Sequence, residues 1–195
     1  MYLFIGLGNP GPKFENTRHN IGRETLMKWQ VNLKLAPFEF DKKWNALVSK
    51  NKKAILLLPE TFMNNSGKAI APSISFFKIR PKNIIALHDD SDIEFGRTKL
   101  SFAKHSAGHK GVESTKRAIG TLDFWRLRIG IQPPLRASLT KGGKKKRVDA
   151  MKLVLQKFKP DEEKTLKKVI KKILEGLEII IADGPEQAMN FLNQN

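Results

Sequence analysis

The sequence predicts an α/β fold: a single domain over residues 1–195, with a twisted, mixed and mainly parallel sheet flanked by helices, including C-terminal helices. Two observations predict it. Apolar runs rich in β-branched residues alternate with amphipathic segments of helical period, an alternation typical of βαβ units. The 195 residues, 40% of them hydrophobic, also suffice for one packed core.

Six apolar runs are predicted to form strands, in chain order residues 2–7, 46–49, 54–58, 84–87, 98–102 and 127–131. The first run is short and ends in glycine, which indicates a buried first strand. Helices are predicted from near residue 20, and over residues 66–77, 112–119, 161–182 and 186–192. Ser66 suits the N-cap of the second helix, and Gly184 followed by Pro185 ends the fourth. Residues 133–150 are predicted to form a basic loop.

The composition is strongly basic, with 36 Lys and Arg against 19 Asp and Glu and a net charge of +17. This excess favours a polyanionic partner, and nucleic acid is the first candidate. A generally basic proteome or an adaptation for solubility is the alternative. Residues 141–147 concentrate the charge, either as a contact for that partner or as a solvated charge run.

The chain contains no cysteine. This excludes disulfides, zinc–thiolate sites and a cysteine nucleophile, and it fits a reducing compartment. No apolar run reaches the roughly 18 residues of a membrane span, and the start of the chain lacks the features of a signal peptide. We therefore expect a cytoplasmic protein without a membrane contact.

His19 is the candidate catalytic base. It lies beside the glycine turn that follows the first predicted strand, where Asn9, Thr17 and Asn20 supply hydrogen-bonding groups. A lone histidine is more often a surface or helix-capping residue. This neighbourhood instead favours a neutral imidazole that accepts a proton near pH 7.

Asp89 comes directly after the predicted strand 84–87 and His88. Because sites in open α/β sheets collect at the C-terminal ends of strands, Asp89 and Asn9 are expected at the same edge, where a carboxylate can orient an imidazole. Alternatively, Asp89, Asp90 and Asp92 form a metal site or a capped turn. A metal requires several oxygen ligands in a fixed geometry.

Residues 59–67 bring Phe62, Met63 and Asn64 to the end of a third predicted strand. The simpler interpretation is a turn followed by an N-cap. The functional interpretation is a wall that binds a peptide or a base, in which the amide gives directional hydrogen bonds and Phe62 and Met63 give apolar contact.

Two further segments suit phosphate contact. Residues 106–111 form a glycine-containing loop that opens a helix. Arg126 and Arg128 share one face of a predicted strand, where they serve either solubility or phosphate binding. Because the chain has neither a serine in a nucleophile elbow nor a cysteine, we expect hydrolysis by water that His19 activates, without a covalent intermediate.

Residues 6–11 formally match the G-x-G-x-x-G turn of dinucleotide-binding proteins. Such a site needs a helix that opens at once toward the pyrophosphate, and an acidic residue about 20 positions later. Residues 12–16 intervene before the predicted helix, and no acidic residue clearly ends a second strand. A nucleotide-dependent oxidoreductase is therefore disfavoured.

Together these segments resemble the bacterial-type peptidyl-tRNA hydrolases, from residue 1 to about residue 158. The resemblance rests on GLGNPG at 6–11 with TRHNIG at 17–22, residues 59–67, HDD at 88–90 with Asp92, Gly108 and His109, and RLRIGI at 126–131. It implies hydrolysis of the ester between a peptide and the 3′-terminal ribose of tRNA, which recycles tRNA. It also implies a monomer that needs no metal or other cofactor.

The resemblance also implies roles for individual residues. His19 activates water, Asp89 keeps His19 basic and oriented, and Asn9 reads the blocked amino end of the peptide. Asn64 helps to hold the substrate and the water. The other implied contacts, to a peptidyl-tRNA bound through its acceptor stem and CCA end, are Phe14, Phe62, Met63, Asp92, His109, Lys110 and Arg128, with Arg128 at a clamp for the tRNA 5′ phosphate.

Three positions depart from the family pattern. Lys110 replaces an asparagine, and lysine cannot accept a hydrogen bond. Ser101 occupies a clamp position that is usually basic, with Lys99 and Lys104 nearby, and Phe14 replaces a tyrosine. Lys110 keeps open the alternative of an RNA-binding relative with lost or weakened catalysis.

Overall fold

The structure is a computed structural model and describes residues 1–134 and 149–194. The basic tract predicted at residues 141–147, and most of the loop predicted at 133–150, lie outside the described residues.

Within the described ranges, seven strands form one sheet in the order β2-β3-β4-β1-β5-β7-β6. The strands are β1 (Tyr2–Gly6), β2 (Glu39–Asp41), β3 (Ala46–Lys50), β4 (Ala54–Pro59), β5 (Ile84–Glu94), β6 (Thr98–Phe102) and β7 (Trp125–Gln132). The central pairs β4-β1, β1-β5 and β5-β7 are parallel, whereas β2, β3 and β6 are added antiparallel. The predicted mixed, mainly parallel sheet is confirmed.

The helices of the same ranges are α1 (Ile21–Asn32), α2 (Gly67–Phe77), α3 (Lys110–Ile119), α4 (Ala150–Val154), α5 (Glu163–Asp183) and α6 (Pro185–Asn193). Among them, none combines the length and the apolar character that crossing a bilayer requires. The long C-terminal helix pair is as predicted, and Gly184, at φ +94°, forms the junction between α5 and α6.

The core has two layers because successive side chains of a strand point to opposite faces. On one face, Phe4 of β1 packs against Trp29 of α1 and near Leu177 of α5. On the other face, Ile5 packs in a cluster with Ile70 of α2 and others from α3. Helices on both faces leave the C-terminal edge of the parallel strands as the place for a site.

Three expectations require correction. The strand predicted at 84–87 continues to Glu94, because its polar end remains paired with β7, so the acidic cluster lies within β5 rather than after it. Ser66 stands at the N-cap of α2, but its hydroxyl donates to the carbonyl of Met63 instead of capping the helix. The short elements β2 and α4 were not predicted.

Candidate active site

A cavity of about 440 Å³ opens at the C-terminal edge of the parallel strands. Eight of the predicted site residues line it: Asn9, His19, Phe62, Met63, Asn64, Asp89, His109 and Lys110. The structure therefore brings together segments that lie up to a hundred residues apart in the chain. Phe14, Asp92 and Arg128 are not part of the lining.

A glycine permits the central contact of this cavity. Gly22, at the start of α1, packs so closely on β5 that a Cβ there would overlap the carbonyl oxygen of Leu87. This close approach brings the preceding turn, and with it His19, beside Asp89 of the same strand.

Asp89 holds two histidines at once. Its Oδ1 lies 2.8 Å from His19 Nδ1 and 3.0 Å from His109 Nε2. Since His109 Nδ1 accepts a bond from the backbone N–H of Val112, its proton is on Nε2 and is donated to Asp89. His19 in turn donates from Nδ1, which leaves its Nε2 as a free acceptor. This is the tautomer that a general base requires.

The carboxyl of Asp89 is ionised in this setting. Burial raises its pKa, but the charges and hydrogen bonds of His109 and His19 outweigh burial and hold the pKa well below its usual range. Only 2% of the side chain is exposed. A buried, ionised carboxylate can therefore stabilise an imidazolium that forms on His19.

His88 forms the floor beneath this pair. Its ring packs on His109 with centroids 4.6 Å apart, and its Nδ1 donates to the carbonyl of Asp89 at 2.6 Å. Burial, followed by the neighbouring charge of His109, lowers the pKa of His88 well below its usual value, so the ring is neutral. Its Nε2 is buried without a hydrogen-bond partner in the described chain.

Asn9 is fixed by three hydrogen bonds. Its backbone N–H and carbonyl pair with the side chain of Asn20, at 2.8 and 2.9 Å, and its Oδ1 accepts from the backbone N–H of Met63 at 2.8 Å. The Nδ2 group is what remains of this amide for a ligand in the cavity. Asn9 therefore presents a fixed donor.

The residues after β4 form an apolar wall. Met63 is buried, whereas Phe62 is 58% exposed and lines the cavity. Phe14 stands behind Phe62, with ring centroids 6.2 Å apart in an edge-on arrangement. Asn64 is exposed and adds a carboxamide to the lining.

Arg128 lies next to the cavity, opposite His88 in the sheet. Its Nε donates to Asp90 Oδ2 at 2.6 Å, and within residues 1–134 and 149–194 its terminal nitrogens remain for another ligand. Asp90 and Ser91, rather than Asp92, contribute to the lining. The backbone N–H of Asp92 donates to Asp90 at 2.9 Å.

Arg126 differs sharply from Arg128, although the sequence places both on one face. It is 1% exposed, and its Nη1 donates to the carbonyl of His105 at 2.6 Å, which anchors the loop that leads to His109. Burial, with the nearby charge of Arg128, lowers the pKa of Arg126 to about 10, which still leaves it charged at neutral pH. The hydroxyl of Ser101, opposite Arg126, is buried without a partner in the described chain.

The alternative of a metal site on three aspartates is not supported, because Asp90 pairs with Arg128 and Asp89 with the histidines. Among the described residues, the group that could hold a metal is His19, Asp89 and His109, whose ligand atoms lie within 4.8 Å of one another. All three atoms are already joined by hydrogen bonds, so a metal would displace the contacts that set the tautomer of His19.

One wall of the cavity was not predicted from the sequence. It is formed by Ala150, Met151, Val154 and Leu155, in and just after α4. Met151 and Leu155 are 64% and 56% exposed, which is unusual for large apolar side chains. The available signal was the apolar run at residues 153–155, a few positions after the basic stretch at 141–147.

Comparison with known proteins agrees with this geometry. The family model described as peptidyl-tRNA hydrolase matches residues 3–195. The peptidyl-tRNA hydrolase of Aquifex aeolicus is 40% identical over 195 residues, covering 98% of this chain and 96% of the relative, and that of Clostridium tetani is 37% identical, covering 99% and 97%.

Solved structures of the same family have a similar fold. The crystal structure of peptidyl-tRNA hydrolase from Acinetobacter baumannii superposes with a TM-score of 0.85 at 30% identity, covering 99% of this chain and 94% of the other. With the fold, the cavity and the sequence in agreement, the chain belongs to the peptidyl-tRNA hydrolase family.

Proposed function

We propose that this enzyme hydrolyses the ester between a peptide and the 3′-terminal ribose of tRNA, using water activated by His19. The single observation that carries the mechanism is the bond from His19 Nδ1 to Asp89, which leaves Nε2 unprotonated toward the cavity. A neutral imidazole in this state is a suitable base near pH 7.

The reaction is an addition of water to the ester followed by loss of the ribose oxygen, without a covalent bond to the enzyme. Water attacks the ester carbonyl carbon while His19 Nε2 takes its proton, and Asp89 stabilises the imidazolium. The bond from the carbonyl carbon to the ribose oxygen then breaks, and His19 returns the proton to that oxygen. The products are a tRNA with a free terminal hydroxyl and a peptide with a free carboxyl group, which releases the second proton of the water to solvent at neutral pH.

Asn9 and Asn64 position the substrate in this proposal. The fixed Nδ2 donor of Asn9 suits the carbonyl of a blocked amino group, which an unblocked aminoacyl group lacks. Asn64, on the same cavity wall, suits the attacking water or the ester. Phe14, Phe62 and Met63 supply the apolar side of the peptide site.

In this proposal the tRNA is contacted by Lys110, His109 and Arg128. Lys110 is the first residue of α3, where the helix dipole disfavours a cation, so a phosphate beside it would relieve the conflict. The terminal nitrogens of Arg128 suit the tRNA 5′ phosphate, and Lys99 faces Arg128 in the sheet. We place Asp92 at the border of the surface that contacts the tRNA. The acceptor stem and the CCA end bind on the same side of the cavity as Arg128.

We further propose that the enzyme acts as a monomer in the cytoplasm. The resemblance to the family implies the monomer. The cytoplasm is where ribosomes release peptidyl-tRNA. Light scattering of the free and tRNA-bound protein tests the monomer.

The second candidate is an RNA-binding relative with weakened catalysis, which Lys110 favours because it replaces the family's asparagine. The unbroken contacts of Asn9, His19 and Asp89 favour the hydrolase.

The test is release of an N-blocked aminoacyl group from tRNA by the wild type and by His19→Ala, with unblocked aminoacyl-tRNA as the control substrate. We expect cleavage of the blocked substrate alone and a loss of about 10²–10⁴-fold in the variant, the usual contribution of a general base. Tight tRNA binding without cleavage by the wild type would instead support the RNA-binding relative.

A further inference from the structure

A second basic surface lies outside the cavity, in a groove of about 490 Å³ between the β5–β6 turn and α5. Arg97, Lys168 and Lys172 border this groove, with Glu94 as the one carboxylate among its lining residues. We call it the α5 groove. Nothing in the proposed chemistry at His19 uses it.

The groove continues into a line of lysines. Lys164, Lys168 and Lys172 follow at four-residue intervals on α5, so each lies on the same side of the helix, about 6 Å further along its axis. Lys164 and Lys168 are exposed. Within residues 1–134 and 149–194, only Lys167 of the α5 lysines has a carboxylate at ion-pair distance, Glu163 at 3.0 Å.

Helix stability does not explain this arrangement. The five lysines of α5 all lie in its first half, whereas Glu175, Glu178 and Asp183 lie in its second half, with no basic residue in the last turn. The helix dipole favours the reverse distribution. Because the apolar stripe of α5 is buried in the core, Lys164 and Lys168 lie on a separate, exposed stripe that is open to a partner. Lys172 is half-buried, and its Nζ donates to the backbone carbonyl of Gln194.

The groove is also fixed relative to the cavity. Arg18, the neighbour of His19, pairs with Glu162 at 2.6 Å, directly before α5. On the other side, Arg97 stands two residues, or about 7 Å, before Lys99, which faces Arg128. A basic path therefore runs from the cavity border around the sheet edge to α5.

We infer that the α5 groove and its line of lysines bind the phosphate backbone of the substrate RNA, beyond the nucleotides that enter the cavity. The inference rests on the proposed function for the identity of the RNA. Exposed lysines and an arginine suit backbone phosphates, which need charge at a suitable spacing and no reading of bases. The surface adds affinity for whole tRNA and leaves the chemical step unchanged.

The test compares Arg97→Glu/Lys168→Glu with Lys52→Glu/Lys53→Glu. The second pair removes the same formal charge from exposed lysines in the β3–β4 turn, near the opposite edge of the sheet. Each variant is assayed on two substrates that carry the same N-blocked aminoacyl ester, whole tRNA and a CCA trinucleotide. The trinucleotide is too short to reach α5.

For whole tRNA we expect the groove variant to lose about tenfold in kcat/KM through KM, with kcat unchanged. Its plot of log kcat/KM against log salt should become shallower by about 1.5–2, corresponding to two lost phosphate contacts. The trinucleotide should be cleaved within twofold of wild type, and the control variant should lose less than threefold on either substrate. Arg97→Gln/Lys168→Gln, which only neutralises the charges, should give about the same change in slope, because the same two phosphate contacts are lost, but a smaller loss in kcat/KM, because it adds no repulsion.

Equal losses in the groove and control variants would overturn the inference, since they would show long-range charge alone. A loss on the trinucleotide would also overturn it. The dissociation constant of deacylated tRNA distinguishes failure of this inference from failure of the proposed function. If the wild type cleaves neither substrate, the proposed function fails. If the groove variant alone binds deacylated tRNA more weakly, the inference about the α5 groove is still supported.

Discussion

The cluster around Asp89 and the α5 groove are both rich in charge, but they are built in opposite ways. Around Asp89 the polar groups are buried and joined by hydrogen bonds of 2.8 and 3.0 Å. Along α5 the cations are mostly exposed, and one ion pair among the described residues involves them. A proton transfer needs fixed geometry, whereas attraction to a polyanion depends mainly on the number of charges.

The two regions should therefore respond to different changes in the protein and its solution. Changes in the hydrogen bonds and protonation of the buried cluster should alter the chemical step and the folding stability. Changes in charge or salt at the exposed surface should alter RNA affinity alone.

Asp89→Asn should have the largest effect. The amide can present a donor to His19, which disfavours the tautomer with an unprotonated Nε2, so kcat on blocked aminoacyl-tRNA should fall about 10²–10⁴-fold. Single-turnover assays, with a thermal melt to verify folding, measure it. Asp123→Asn, an exposed acid-to-amide change before β7, is the matched control and should stay within twofold. A similar kcat for the two variants would remove Asp89 from the mechanism.

Salt should act mainly on affinity. If about four phosphates are neutralised by exposed cations, the dissociation constant for tRNA should rise about 10²-fold between 50 and 200 mM salt. The kcat at saturating substrate should stay nearly constant, because the buried contacts of Asp89 are poorly screened. Filter binding and steady-state kinetics at matched salt provide the two numbers, and a flat binding curve would contradict the exposed-charge model.

Acid should act on the buried cluster through His88. The pKa of His88 is lower in the folded protein than in the unfolded chain, so the unfolded chain binds a proton first as the pH falls. The stability contributed by the neutral ring is therefore fully present above about pH 6.5 and is lost as the pH falls below it. The free energy of unfolding should fall by up to about 1.4 kcal/mol per pH unit below that point. Asp89, whose folded pKa is also lowered, loses its contribution only below its unfolded pKa of about 3.9.

His88→Asn tests this assignment, since its amide can replace the donor to the Asp89 carbonyl without titrating. Denaturant melts between pH 5 and 7 should show a shallower pH dependence in the variant, by about one proton. An unchanged slope would show that another group titrates in this window.

Lys110→Asn, at an exposed residue of the cavity lining, should have the smallest effect. It introduces the asparagine that the resemblance implies at this position and removes one cation, so KM for tRNA should rise about two- to threefold and kcat should stay within about threefold. Steady-state kinetics on whole tRNA measures both. A large gain in kcat would show that the lysine restrains catalysis.

Local patterns accounted for much of the fold. The runs at 2–7 and 54–58 became β1 and β4 almost unchanged, because apolar β-rich segments bounded by turns carry their own signal. The three-residue β2 has no such signal, since Phe40 is 57% exposed and β2 forms only by pairing with β3. The polar end of β5 was also hidden, because its pairing partner lies about forty residues away in β7.

The site was predicted in part for the same reason. Asn9, His19 and Asp89 each follow or border a predictable strand, so their convergence at one edge could be inferred. The different burial of Arg126 and Arg128 could not be inferred. The alternation of side chains along a strand predicts which face of the sheet a residue lies on, but not how deeply its side chain is buried. The burial of Arg126 depends on the loop at His105 that covers it.

The sequence by itself determined the α/β class, the excess of positive charge and the candidates for the base and its carboxylate, since each depends on residue type and local period. Only the tertiary structure decided that Asp89 serves two histidines, that α4 completes the cavity and that the lysines of α5 adjoin Arg97. These are contacts between segments distant in the chain, and the packing of helices on both faces of the sheet sets them.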